Sequence, residues 1–140
     1  MKTITLLLVS ALCLTFASCG RIYGPVEEVK ALMEAKDAVI LQISKQLDAD
    51  PTEVGVDEAR KAFEAKKGDL KAKRDAINAA PRGMNGDWLS MLSQSEVSDT
   101  KMFAAIRQKF YPECMARKSI CTTELEKFGA LERSFEEATR

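Results

Sequence analysis

Apolar residues recur every three or four positions between Val26 and Leu47, and this spacing constrains the fold more than any other feature of the chain. It puts the apolar side chains on one face of an α-helix and the charged side chains on the other. Lys36 interrupts the apolar face. The composition also favours helices, because glycine and proline are few whereas alanine, lysine and glutamate are common.

A second helix is predicted to follow after a short connector. It begins either at Pro51 or, past Gly55, near Asp57, and it ends near Ala79, before Pro81. A connector of fewer than ten residues between two long helices favours an antiparallel hairpin.

The Pro, Gly and Asn residues at 81–86 mark the clearest break in the chain. Beyond it we expect short helices that begin at Asp87, at Ser98 and at a capping box formed by Thr123 and Glu126. The Tyr111-Pro112 step is expected to interrupt the middle one, because the residue before a proline resists the helical conformation.

The predicted fold is therefore all-α and occupies one domain, residues 26–140. A long antiparallel hairpin at 26–80 is followed by three or more shorter helices in a small bundle at 87–140. Large apolar side chains are denser in the second part, and we expect them to form the main core: Trp88, Met91, Phe103, Phe110, Tyr111, Phe128 and Phe135. The alternative for this region is an exposed docking patch made of Trp88, Met84 and Met91.

The chain opens with one positive charge, an apolar run from Ile4 to Phe16 and small residues before Cys19. This order is typical of a secretory signal, and the run is shorter than the roughly 20 apolar residues that a membrane-spanning helix needs. The residues Phe-Ala-Ser-Cys at 16–19 resemble the lipobox of bacterial lipoproteins. The resemblance implies removal of residues 1–18, a diacylglyceryl group on the Cys19 thiol and acylation of the Cys19 amine. The alternative is an ordinary signal peptide that leaves Cys19 a plain thiol.

This resemblance also implies a location. More than one acyl chain makes membrane attachment stable, so residues 19–25 would form a lipidated tether and no transmembrane helix would be needed after them. Gly20 stands where some lipoproteins carry Asp, and by the sorting rules of Gram-negative bacteria it implies the outer membrane, with the domain facing the periplasm. Removing the signal leaves roughly 120 residues, enough for one domain with a modest core.

Cys114 and Cys121 remain after Cys13 leaves with the signal and Cys19 is acylated. An even pair in an oxidising compartment predicts a disulfide. Seven residues of one helix advance about 10.5 Å, whereas disulfide-bonded Cα atoms lie less than about 7 Å apart, so the chain must turn between them. The alternatives are a redox pair and a metal site. The spacing is not the two-residue gap of thiol oxidoreductases, and two thiols without histidine are too few for structural zinc.

Five basic residues, offset by Asp69, make the second helix locally positive: Lys66, Lys67, Lys71, Lys73 and Arg74. The functional interpretation is contact with anionic lipid headgroups or cell-wall polymer. The candidate partner-binding residues are Lys66, Lys67, Lys71, Arg74 and Trp88. The alternative is a solvated helix face with an Asp69–Lys73 ion pair. The chain has 21 basic and 21 acidic residues, which gives no reason to expect a nucleic-acid partner.

The sequence contains no histidine, which excludes His-ligated zinc and His-based nucleophile triads. It also lacks a glycine-rich phosphate loop and a nucleophile elbow. We therefore expect no enzymatic activity, no cofactor and no metal. The expected function is a binding or scaffold domain held at the membrane by lipid, with another envelope protein as its partner. A narrower version is an immunity or inhibitor protein for a toxin or hydrolase. A different class is a carrier of a small apolar ligand, in a pocket lined by Phe103, Phe110 and Phe128.

Overall fold

Four α-helices make up most of the residues that the computed structural model describes, which are 23–118 and 120–140. They are α1 (Val26–Ala49), α2 (Glu53–Ala79), α3 (Asp87–Arg117) and α4 (Thr122–Thr139). No strand occurs in these two ranges, so the predicted all-α class is confirmed. None of the four helices is both long and apolar enough to span a bilayer. The predictions made for the signal and for Cys19 lie outside the described residues.

α1 and α2 lie close to their predicted limits. α1 continues to Ala49, and α2 begins at Glu53, between the two predicted starting points. Gly55 lies in the first turn of α2 and does not precede it. The backbone carbonyl of Asp50 passes so near that a Cβ at Gly55 would lie 1.8 Å from its oxygen, so the close approach of the connector requires glycine there.

The predicted fold is wrong at residues 87–117, which form one helix of 31 residues and not separate short helices. In the described part of the chain, two helices and not three or more therefore follow the break at 81–86. The buried residues of α3 keep an unbroken spacing of three or four: Trp88, Leu92, Ser95, Asp99, Phe103, Ile106, Phe110 and Cys114. Two of these positions are polar, so the apolar pattern looked interrupted in the sequence.

Pro112 does not end α3. A proline inside a helix cannot donate a hydrogen bond to the carbonyl four residues earlier, which here belongs to Gln108. Both residues are exposed, so water can solvate the free carbonyl. Phe110 and Cys114 are buried on the opposite side of the helix and hold it against the core on either side of the proline.

α4 begins at Thr122, so the predicted capping box of Thr123 and Glu126 is wrong. Thr123 lies inside the first turn and not at the cap position. The backbone N–H of Leu125 closes that turn by donating to the carbonyl of Cys121 at 3.0 Å. α4 therefore begins directly after Cys121, the second cysteine of the predicted pair.

The four helices share one core. α1 packs against α2 and α3, and α2 also packs against α4. α3 and α4 meet through phenylalanine rings whose centroids lie 5.1 to 6.1 Å apart: Phe103, Phe110, Phe128 and Phe135. Aromatic pairs at such distances contribute about 0.5–1.5 kcal/mol each beyond the area they bury. Tyr111 was wrongly assigned to this core, since 45% of its surface is exposed, and Met91 is only partly buried.

At one end of the bundle, which we call the tether end, the start of α1 meets the loop after α2 and the start of α3. Gly24 has a positive φ of 68°, and a Cβ there would lie 2.7 Å from the carbonyl oxygen of Arg82 and 2.8 Å from the ring of Trp88. The indole N–H of Trp88 donates to that same carbonyl at 3.1 Å. Gly24, just before α1, thus packs closely against Arg82 and Trp88.

The opposite end, which we call the distal end, joins the last turns of α1 and α3 to the first turns of α2 and α4. Lys109 of α3 forms an ion pair with Asp48 of α1 at 2.7 Å. Lys127 of α4 bridges Glu53 and Asp57 of α2, at 2.7 Å from each. The hydrogen bond from Lys127 lowers the pKa of Asp57, so this bridge is strongest when both groups are charged.

Candidate functional site

A buried polar group joins α1 to α3. Lys36 is only 1% exposed, and its Nζ donates a hydrogen bond to Ser95 Oγ at 2.8 Å and forms an ion pair with Asp99 Oδ2. Ser95 and Asp99 are buried as well. The other oxygen of Asp99, Oδ1, accepts no hydrogen bond from residues 23–118 or 120–140.

Sequence reasoning found only one member of this group. Lys36 was recognised as a charge on an apolar helix face, but Ser95 and Asp99 were not connected with it. The available signal was complementarity, since a basic residue in one buried stripe and an acidic residue in another must pair if both stripes face the same core.

The geometry of this group does not support catalysis. A serine beside a lysine is a possible nucleophile and base, but here Lys36 Nζ is held in an ion pair with Asp99. Ser95 is also buried, so no substrate reaches its hydroxyl. Burial raises the pKa of Asp99, and the hydrogen bond from Lys36 opposes that rise. The group fixes the position of α1 on α3.

A cleft of about 230 Å³ lies between the first half of α3 and the end of α4. Carboxylates and phenylalanine rings line it, including Glu96, Glu136, Phe103 and Phe135. Of the three phenylalanines predicted to line an apolar ligand pocket, Phe103 lines this cleft. Phe110 and Phe128 instead pack against each other in the core, with centroids 5.8 Å apart.

Cys114 and Cys121 are disulfide-bonded in the structure, with Cα atoms 6.3 Å apart, consistent with the predicted pairing. α3 ends at Arg117 and α4 begins at Thr122, so the chain turns between the two cysteines as the geometry required. The bond ties the last turn of α3 to the start of α4 at the distal end.

Glu124 is buried beside this disulfide, and sequence reasoning missed it. One of its carboxylate oxygens and the two sulfur atoms lie within 4.8 Å of one another. Each sulfur is bonded to the other, and neither is then the thiolate that binds a metal. Lys118 Nζ donates to Glu124 Oε1 at 2.5 Å, and this hydrogen bond lowers the pKa of Glu124. The carboxylate therefore stabilises the turn as an anion.

Exposed apolar side chains occur at the distal end, on the segments joined by the disulfide and at the start of α2. They are Val54 at the start of α2, Tyr111 and Met115 on α3, and Ile120 in the turn before α4, and we call them the distal apolar group. Tyr111 and Met115 are four residues apart on one helix and share a face. Tyrosine and methionine are enriched in protein–protein interfaces. This group is the candidate binding surface.

The four predicted basic residues of α2 differ in their surroundings. Lys67 donates to Ser134 of α4 at 3.0 Å, and Arg74 Nε donates to the carbonyl of Arg140 at 2.6 Å, so both serve the packing of α2 on α4. Lys66 lies on the side of α2 that faces α1, and Lys71 is exposed.

The structure contains one feature of the alternative interpretation of this helix. The expected ion pair between Lys73 and Asp69 is present at 2.7 Å. It is the solvated i,i+4 pair of an ordinary helix surface and contributes little to stability.

Trp88 belongs to the core and not to an exposed patch. Its side chain is buried, with 6% of its surface exposed, whereas Met84 is 95% exposed and Met91 is partly buried. The docking patch considered for these three residues is therefore not formed around the indole ring.

Comparisons of the chain with protein-family models, with curated proteins and with solved structures found no match.

Proposed function

We propose that this chain is a lipid-anchored, non-enzymatic binding protein of the bacterial cell envelope, and that it holds a partner protein at its distal end. The observation that carries the proposal is the position of the distal apolar group, at the end of the bundle opposite the tether. A surface so placed points away from the membrane to which Cys19 would be attached.

The cysteines support the location. Residues 16–19 resemble a lipobox, and disulfides persist in oxidising compartments such as the periplasm. Cys114 and Cys121 form such a bond in the structure. The outer membrane, with the domain in the periplasm, is the proposed location within the envelope, by virtue of Gly20.

In this proposal α1 and α2 form the predicted antiparallel hairpin, which acts as a rigid support for α3 and α4. Two observations favour it. Only residues 50–52 connect the two helices, and Val39 near the middle of α1 lies beside Leu70 in the second half of α2. α3 has 31 residues and spans about 46 Å, which sets the separation of the two ends.

Tethering makes a modest interface sufficient. A short flexible linker gives an effective concentration in the millimolar range for a partner confined to the same surface. The distal apolar group has few residues, so it fits a weak or transient contact better than a permanent one. The proposed mechanism is localisation of a partner at a fixed distance from the membrane.

The lipid anchor is tested by the Cys19→Ser substitution. We expect wild-type chain to incorporate radiolabelled palmitate and to sediment with membranes, and the variant to lose the label and keep its signal uncleaved or become free of the membrane. Cys13→Ser is the matched control, since that thiol lies within the signal, and it should label as wild type does. Equal labelling of Cys19→Ser and wild type would refute the anchor.

The binding surface is tested by site-specific photo-crosslinking in intact cells. A photoreactive residue at Tyr111, Met115 or Ile120 should give one adduct of the same mass at all three positions. Leu41, an exposed apolar residue of α1, is the control position and should give none. In the Cys19→Ser background the yield should fall by on the order of tenfold or more, because the effective concentration is lost. Adducts that form equally at Leu41 would contradict the proposed surface.

A further inference from the structure

Three exposed apolar side chains lie at the tether end. Tyr23, Met84 and Leu89 are all exposed, with Met84 at 95% in the 80–86 loop. A groove of about 650 Å³ opens beside Tyr23 and is bordered by Pro25, Pro81 and Met91. Such side chains are costly to leave in water and are typical of an interaction surface.

The length of chain before this surface limits what can cover it. Four peptide units separate Cys19 from Tyr23, and they span at most about 14 Å. If Cys19 carries acyl chains in the bilayer, Tyr23 stays within that distance of the membrane surface. The distal end, about 46 Å away along α3, cannot reach the membrane while the tether end faces it.

We propose that the tether end rests on the phospholipid bilayer, with Tyr23, Met84 and Leu89 inserted at the boundary between headgroups and acyl chains. This inference depends on the lipid anchor of the proposed function. Tyrosine is enriched at membrane–water interfaces, because its ring is apolar and its hydroxyl is polar. Contact through the tether, through the 80–86 loop and through the start of α3 would orient the bundle as well as hold it.

The charges around the groove indicate that this contact is apolar and not electrostatic. Glu27, Glu28 and Asp87 border the groove, and Arg82 lies in the adjoining loop. A net negative rim does not attract anionic lipid, so binding of the tether end does not require anionic headgroups and does not weaken with salt. A membrane contact made by a basic patch would show the opposite behaviour.

Trp88 provides a direct probe, because it is the only tryptophan of the chain and lies in contact range of Gly24 and Arg82 at the tether end. The acylated protein is reconstituted into phosphatidylcholine vesicles whose acyl chains are brominated close to the glycerol. We expect Trp88 fluorescence to be quenched at least twofold relative to unbrominated vesicles. The same quenching is expected when phosphatidylglycerol is added and when salt is raised.

A variant with Tyr23→Ser, Met84→Ser and Leu89→Ser should lose at least half of the quenching while circular dichroism shows an unchanged helix content. The matched control, Val54→Ser with Ile120→Ser, changes exposed apolar residues at the distal end and should quench as wild type does. Quenching that persists in the tether-end variant, or that appears only with phosphatidylglycerol, would overturn the inference.

Mass spectrometry of the purified protein separates this failure from failure of the anchor. A chain that carries the acyl groups and stays with the vesicles, yet shows no quenching of Trp88, would overturn the membrane contact and leave the anchor intact. A chain without acyl groups would overturn both.

Discussion

Replacing Lys36 with methionine is expected to lower the free energy of unfolding by about 3–5 kcal/mol at pH 7, as when one partner of a buried ion pair is removed. Asp99 would stay in the core without a cation, and Ser95 would lose the hydrogen bond that Lys36 donates at 2.8 Å. Methionine has nearly the same length as lysine, so the lower free energy of unfolding measures the removal of the charge and not the creation of a cavity. Urea denaturation followed by circular dichroism measures it.

Removing the whole polar group should reverse most of this loss. Lys36→Met combined with Ser95→Ala and Asp99→Leu leaves no unpaired polar atom, and we expect its stability within about 1 kcal/mol of wild type, since apolar replacements of buried ion pairs are often neutral or stabilising. Lys30→Met is the matched control, because Lys30 forms an exposed ion pair with Glu27 at 2.9 Å, and it should change stability by no more than about 0.5 kcal/mol. A loss in Lys36→Met no larger than in Lys30→Met would contradict the assigned role.

The loss in Lys36→Met should also depend on pH. Burial already raises the pKa of Asp99, and Lys36 opposes the rise, so removing Lys36 raises that pKa further. A carboxyl group whose pKa is higher in the folded than in the unfolded chain binds its proton more tightly when folded. Its favourable contribution is present below the unfolded pKa, near 3.9, and is lost as pH rises through the folded value. The stability gap between variant and wild type should therefore be smaller at pH 4 than at pH 7, and an equal gap would argue against a buried charge.

The same three residues explain how far the fold could be predicted from the sequence. α1 was recognisable because its apolar spacing is strong enough to tolerate one interruption, at Lys36. The sequence pattern predicted separate helices in place of α3, because two polar residues, Ser95 and Asp99, occupy positions in its buried stripe. Their place there depends on a lysine 59 residues away from Ser95, and a local pattern carries no information about that pairing.

The candidate site, like the fold, could be predicted from the sequence only in part. The bond between Cys114 and Cys121 followed from the even pair of thiols expected in an oxidising compartment, and helix geometry added that the chain must turn between them. Tyr111 was assigned to the core because it is a large aromatic residue in the part of the chain where large apolar side chains are dense. In a continuous helix Tyr111 is rotated about 100° from the buried Phe110, and this rotation places its ring in solvent.

The basic residues of α2 show another limit of prediction from the sequence. Lys67 and Arg74 look solvated from their own helix, and only the packing of α4, through Ser134 and Arg140, shows that they are engaged. Partners on a later helix cannot be read from the spacing within α2.

Removing the disulfide is the second substitution with a large expected effect. Cys114→Ala with Cys121→Ala should lower the free energy of unfolding by about 2.5 kcal/mol, because the bond closes a loop of about eight residues in the unfolded chain. Alanine is chosen over serine because both cysteines are buried, and a buried hydroxyl without a partner would add its own cost. Chemical denaturation of the double variant and of wild type under oxidising conditions gives the difference.

Reduction of the wild-type chain separates the loop constraint from packing. Dithiothreitol breaks the bond but leaves both sulfur atoms in place, so reduced wild type should lose most of the 2.5 kcal/mol or so and the double variant slightly more. The effect should be local to the distal end: the amides at the start of α4, where Lys118 holds the buried Glu124 at 2.5 Å, should exchange hydrogen faster, and those of α1 should change least. Met115 and Ile120 of the distal apolar group are the sequence neighbours of Cys114 and Cys121. This group should therefore give fewer photo-crosslinks after reduction. Wild type whose stability and exchange are unaffected by reductant would show that the bond adds nothing to this end of the bundle.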